Sequence, residues 1–147
     1  MREILFRAKA INRDPDQEYC TEYKNGDWVY GLVEKLPIIK NGEKVYDTDC
    51  AEMRNTCGVS GIDVDENTIC EFTGSTDKND TEIFEDDLCY FFDSNCGEDE
   101  VLKVVYEDGG YWLRGDGWAV SFSQINTSTD VEVIGNIYDN PELLEAK

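Results

Sequence analysis

The chain has 147 residues, 40% of them apolar and 12% aromatic, with 33 acidic against 13 basic side chains and a formal charge of −20. That length buries roughly 68% of the surface its unfolded form exposes, enough for one domain or two small ones, and the apolar content excludes a disordered polar chain. The charge works against nucleic acid and anionic membranes, because nonspecific affinity for phosphates comes from Lys and Arg.

The start alternates, with Ile4, Phe6 and Ala8 on one side of an expected strand, before Asn12-Arg13-Asp14-Pro15-Asp16 breaks it. Two Asn-Gly pairs follow, Asn25-Gly26 between Tyr19 to Tyr23 and Trp28 to Val33, and Asn41-Gly42 between Pro37 to Ile39 and Lys44 to Tyr46. Asn-Gly supplies the positive φ angles of a two-residue hairpin turn, so residues 1–67 are expected to form an antiparallel β meander. The pattern weakens between Asp47 and Asn67, where Asp49 is placed as the cap of a helical turn or two running through Met53.

Residues 68–147 read as a second unit of short strands: Thr68 to Phe72, Glu82 to Phe84, Leu88 to Phe92, Val101 to Tyr106, Gly110 to Leu113, Trp118 to Phe122 and Val131 to Ile137. Their close spacing suits a small SH3-like β-barrel on which the meander packs. In the last fifteen residues, Ile134 and its alternate neighbours should be buried. Asn140, Pro141 and Glu142 read as the N-cap, first position and acidic first turn of a short helix that folds Leu143 and Leu144 over an open edge. The expected class is mainly β with minor α.

Several blocks resemble the YopX family of phage and prophage proteins. They are Arg2-Glu3-Ile4-Leu5-Phe6-Arg7-Ala8-Lys9, Trp28-Val29-Tyr30-Gly31, Phe72-Thr73-Gly74-Ser75-Thr76-Asp77-Lys78-Asn79, Glu82-Ile83-Phe84-Glu85-Asp86-Asp87, and the closing Val133-Ile134-Gly135-Asn136-Ile137-Tyr138-Asp139-Asn140-Pro141-Glu142-Leu143-Leu144. The resemblance runs in order over nearly the whole chain, with Lys35 to Gly58 matching least. It implies a mainly β phage-encoded protein and no particular reaction. Two turns depart from the family pattern: Lys-Asn-Gly is here Lys78-Asn79-Asp80, and Glu-Gly-Asp is Glu85-Asp86-Asp87. Asp replaces Gly in both, a residue that tolerates positive φ better than most.

No histidine is present, which removes the side chain most used for proton transfer near neutral pH. Glu85-Asp86-Asp87 with Asp93, Glu98, Asp99 and Glu100 reads as solvated charge. Asp63-x-Asp65-x-Asn67 begins like a calcium loop, but Thr68 stands where glycine is needed and Gly74 where a glutamate belongs. Cys50 and Cys57 share the spacing of Cys89 and Cys96, which is too wide for the tight turns of a zinc ribbon. With no secretory segment at the start and no apolar run approaching the roughly 20 residues of a membrane span, all six cysteines, Cys20 included, are expected free and mostly packed in a cytoplasmic protein of the bacterial host cell.

No catalytic residue, cofactor or metal ligand is therefore assigned. Tyr106, Tyr111, Trp112 and Trp118, beside two glycine-containing turns, read either as aromatics filling the barrel interior or as the candidate partner-binding aromatics. The expected role is that of a noncatalytic accessory protein binding another protein, a basic one by charge. The alternative is an acidic mimic of DNA that inhibits a host DNA-binding protein. No binding to nucleic acid or membrane is expected.

Overall fold

The computed structural model describes residues 3–11, 23–36, 39–40, 43–44, 51–125 and 129–145. Glu3–Glu71 form one compact unit, and a second begins at Phe72. Both are built from antiparallel strands.

In the first unit, β1 (Phe6–Lys9) pairs with β2 (Trp28–Lys35), β2 with β5 (Ala51–Asn55), and β5 with β6 (Ile62–Val64). Between β2 and β5 lies a separate hairpin, β3 (Ile39–Lys40) and β4 (Glu43–Lys44), in which Lys40 pairs with Glu43. The turn expected at Asn41-Gly42 lies outside the described residues. The Asn25-Gly26 turn precedes β2 as expected, and residues 19–22, its expected partner strand, also lie outside. Ala10, just past β1, donates to Asp27 O at 2.7 Å and accepts from Gly26 at 2.9 Å.

The helical turn expected through Met53 is instead β5. Its residues alternate Ala51, Met53 and Asn55 inward with Arg54 outward, and Ala51 and Met53 are fully buried. Ala, Glu, Met and Arg favour helices in isolation, but pairing on both sides overrides that preference. Small side chains, Ala8, Ala10 and Ala51, pack with Val29, Met53 and Val64 in the core. β6 also meets the extension of β1 at an isolated bridge, Ala10 to Val64, with Ile11 N–H donating to Asp63 O at 2.8 Å beside it.

The expectation at the first strand needs adjustment: Ala8 is in the core and Phe6 packs against it, but Ile4 is 65% exposed and Leu5 is buried instead. β1 starts at Phe6, so the alternation does not extend back to Ile4.

The boundary between the units falls inside β7 (Cys70–Thr76): Cys70 and Glu71 pair with β1, whereas Phe72 and Thr76 pair with β8 (Glu82–Phe84). The second unit adds β9 (Asp87–Asp93), β10 (Glu98–Glu107), β11 (Gly110–Arg114), β12 (Ala119–Ser121) and β13 (Thr129–Asn136), in the sheet order β12-β11-β10-β9-β13. Ile83, Cys89, Phe91, Leu102, Val104, Tyr111, Leu113 and Val131 form its core.

The expected SH3-like barrel is not formed, because this sheet does not close. β12 is three residues long and runs into a capped 3-10 turn, Phe122–Gln124, while the outer edge of β13 is taken by the 77–81 turn. Asp80 and Asp86, which replace the family's glycines, do adopt positive φ, 63° and 66°.

The tail is a strand and a short helix, α1 (Glu142–Glu145). Its inward residues are Val131 and Val133, not Ile134, which is 38% exposed; the register shifts by a bulge between Val133 and Gly135. At that bulge a Cβ on residue 135 would lie 2.5 Å from the Asn140 side-chain oxygen. Asn140 does not cap the helix with its side chain, whose oxygen accepts from the Asn136 amide at 3.3 Å; its backbone carbonyl accepts from Leu143. Leu144 lies over a face of the sheet beside Val101 and Val105 of β10 and not over an edge.

Two outcomes follow. A Cβ at Gly31 would sit 1.8 Å from the Arg54 carbonyl oxygen, in a strand pair that cannot move apart without breaking. Gly31→Ala should cost about 3 kcal/mol or more in a denaturant titration, and a loss under about 1 kcal/mol would contradict this packing. Ending the chain after Thr129 removes one of the two partners of β9 along with Val131 and Val133. It should remove most of a stability that is typically about 5 to 15 kcal/mol, and a melting temperature equal to that of the full chain would refute the assignment.

Candidate functional site

Strand alternation decides where the four candidate aromatics go. Tyr111 points into the core, and Trp118 packs on it edge-on to Phe91 with centroids 5.9 Å apart while its indole N–H donates to Glu100 Oε2 at 2.6 Å. Tyr106 stands at the end of β10, 53% exposed, edge-on to Tyr111 at 5.1 Å. Trp112 lies on the opposite face, across from Val105, and its indole donates to Glu107 O at 3.0 Å. The four do not share a face, and two are structural.

Two carboxylates read as solvated charge, Asp87 and Asp86, are structural, as is Asp77 of the neighbouring turn. Asp87 is 1% exposed, and its Oδ2 accepts from the Phe84 amide at 2.8 Å, closing the β8–β9 turn. Asp86 accepts the Tyr138 hydroxyl at 2.6 Å and lies 3.7 Å from Lys103 Nζ. Asp77 Oδ1 accepts from the Asn79 and Thr81 amides, at 2.8 and 2.9 Å, and its Oδ2 from Val133 at 2.9 Å. Burial of Asp77 opposes its charge, but backbone N–H donation from Val133, Thr81 and Asn79 outweighs this and holds its pKa below the usual aspartate value.

The sheet face opposite the core of the second unit carries the alternate residues of each strand. In register across β13, β9 and β10, one row reads Asp130, Phe92, Asp99 and the next Glu132, Tyr90, Val101. Asp99 and Asp130 are exposed, while Phe92, Tyr90, Val101 and Glu132 are half-buried. The Tyr90 hydroxyl donates to Asp99 Oδ2 at 2.7 Å, which holds its phenol above the usual pKa.

Farther along the same face, Lys103 stands directly across from Arg114. They flank a groove of about 540 Å³ that Val101, Val105 and Leu144 also line. Arg114 pairs with Glu107, which also lines the groove, and Lys103 with Asp86 outside it. Neither row of aromatics and carboxylates was singled out by sequence reading. The signal available was the alternation of charge and ring in Leu88 to Asp93, Glu98 to Val101 and Asp130 to Val133, but it needs the pairing register to become a surface.

The remaining sequence motifs are structural. Asp65 caps the 3-10 turn Glu66–Thr68 by accepting from the Asn67 amide at 3.0 Å. Cys70 and Cys89 are buried, and burial, with the charges of Asp87 and Asp77, pushes the Cys89 thiol far up. Cys57 and Cys96 are exposed, so the expected packing holds for two of the four described thiols; Cys20, Cys50 and Asp49 lie outside the described residues. Cys89 and Cys96 thus sit in different environments, one in the core and one in the β9–β10 loop.

Residues 16–145 match the YopX protein family. No curated protein matches the chain. Among solved structures, the crystal structure of protein EF1440 from Enterococcus faecalis is similar, with 24% sequence identity and a TM-score of 0.50 over 98% of this chain and 99% of that one. At that identity the likeness concerns the fold.

The Asp77 clamp has a measurable signature. Asn in its place must turn its amide nitrogen toward one of the three N–H donors, so Asp77→Asn should lose about 2 to 3 kcal/mol at pH 7. Because the folded-state pKa is the lower one, this contribution is present above the unfolded-state value, near 4, and is lost as pH falls through the folded value. Unfolding curves of wild type and variant should converge as pH falls below the unfolded-state value, about 4. A gap that stays constant over that fall would rule the clamp out.

Proposed function

We propose that this chain, which belongs to the YopX family, is a noncatalytic phage-type accessory protein that works in the host cytoplasm by binding a basic protein. The observation that carries this is the distribution of charge. From Phe72 onward the chain holds 18 acidic and 4 basic residues, a net of −14, against 15 acidic and 8 basic, a net of −7, in Glu3–Glu71. A field of that sign steers a cationic partner toward the second unit and repels duplex DNA and anionic lipid.

The absence of histidine supports a noncatalytic role. Glu34 and Asp77 are both shifted down, away from the raised values that acid catalysis uses near neutral pH. A DNA mimic would need carboxylates in continuous rows spaced like phosphates. Here Phe92 stands between Asp99 and Asp130, and Tyr90 between Glu132 and Val101, which favours protein over a DNA-binding cleft as the partner.

The test is affinity capture from a bacterial host lysate with the tagged full chain, at a series of salt concentrations. The expected result is a retained protein of basic composition that is released as salt rises, together with no retardation of duplex DNA in a gel. Retention of an acidic protein that is indifferent to salt, or turnover of a substrate by the purified chain, would overturn the proposal.

A further inference from the structure

Building on that reading of the charge, we infer that the strip made by Asp130, Phe92 and Asp99 with Glu132, Tyr90 and Val101 is the docking surface for an arginine- or lysine-bearing segment of the partner. The register places each aromatic between side chains of the neighbouring strands. Strands lie about 4.7 to 4.9 Å apart, so Asp99 and Asp130 stand about 10 Å apart on either side of the Phe92 ring. A guanidinium laid on that ring can reach a carboxylate on each side, combining a cation–π contact with charge-assisted hydrogen bonds. Arginine suits this better than lysine, because its planar head stacks and donates in two directions at once.

Several features favour this strip over the other surfaces. The Tyr90 hydroxyl is tied to Asp99, which orients that carboxylate along the face before any partner arrives. Val101 and Phe92 are half-buried and give the strip an apolar floor, as the middle of an interface has. By contrast, the groove farther along the sheet carries Lys103 and Arg114, each already facing a carboxylate. Among the four aromatics flagged in the sequence, Tyr111 and Trp118 belong to the core side of the sheet. Two aspartates flanking a half-exposed ring add nothing evident to the sheet itself, since cross-strand stabilisation comes from apolar or opposite-charge pairs.

The probe is an acetylated ten-residue peptide with three arginines, compared with the same peptide carrying glutamine at those positions, titrated into the ¹⁵N-labelled full chain. The amide shifts should concentrate at residues 90–92, 99–101 and 130–132, and the glutamine peptide should leave them unmoved. The double variant Asp99→Asn with Asp130→Asn should weaken the arginine peptide about tenfold, the sum of two exposed charge contacts. The control pair Asp108→Asn with Glu142→Gln makes the same change in net charge outside the strip and should weaken it less than about twofold.

Equal weakening by both pairs, shifts scattered over the acidic surface, or no binding of the arginine peptide would overturn the docking surface. The outcome separates from that of the broader reading. A basic host protein retained equally by wild type and by the Asp99/Asp130 variant leaves the accessory role standing and removes the strip. Failure to retain any protein removes the role, while the peptide titration still decides on the strip.

Discussion

The arrangement on which most of this protein depends is an aspartate carboxylate accepting a backbone N–H at a turn. Asp27 accepts from Lys24, Asp65 from Asn67, Asp77 from Asn79, Thr81 and Val133, Asp87 from Phe84, and Asp93 from Asn95. Each bond satisfies a donor that the strand ladders leave unpaired, and a charged acceptor makes it stronger than a neutral one. A chain with 33 acidic and 13 basic residues cannot neutralise its carboxylates pairwise. It places many of them where the backbone supplies the positive end of the interaction.

Asp77 is the most consequential of these because its partners are far apart in sequence. Asn79 and Thr81 lie in its own turn, while Val133 is 56 residues away on β13. The turn and strand are also joined by Lys78 N–H donating to Val131 O at 3.1 Å. β13 in turn pairs along β9, and β9 along β10, so one buried carboxylate secures the edge strand beside β9, which holds Cys89 and Phe91 in the core. Asp86 plays a related part at the other end of β13. Its carbonyl accepts from Ile137 and its carboxylate from Tyr138, which draws the chain after the strand back to the β8–β9 turn. Tail and sheet are therefore one cooperative structure.

What could be read from the sequence was what local chemistry decides. β8 runs from Glu82 to Phe84 as expected, and β9, β10 and β11 contain the expected strands with a few residues added at their ends. Alternation of apolar and polar residues with turn residues between them is a local signal, and these strands carry it clearly. β5 was missed because Ala51, Glu52, Met53 and Arg54 are helix formers, and only pairing with β2 and β6 makes them a strand. The choice of Ile134 over Val133 failed because a bulge changes which residues face inward, and a bulge leaves little trace in sequence. The candidate surface was the least legible part. Two of the four aromatics turned out to serve the core, and the rows through Phe92 and Tyr90 exist only once three strands distant in sequence are set in register.

The same register separates carboxylates by role, which composition cannot do. Asp77 and Asp87, which accept backbone N–H groups, are buried, and their charge is consumed in holding turns. Asp99 and Asp130 are exposed on the sheet face and flank an aromatic ring. Glu132 lies beside them, 3.6 Å from Lys78, in an ion pair exposed enough to be worth little and to yield to a competing cation. A surface needed only for solubility can place its acids anywhere, and stability would favour placing them apart, since like charges a strand or two away repel. Placing them on both sides of half-exposed rings costs stability and keeps apolar area in contact with water. That combination is expected where a partner later covers the rings and supplies the missing positive charge, and it explains why the most acidic part of the molecule is also one with aromatic side chains left at its surface.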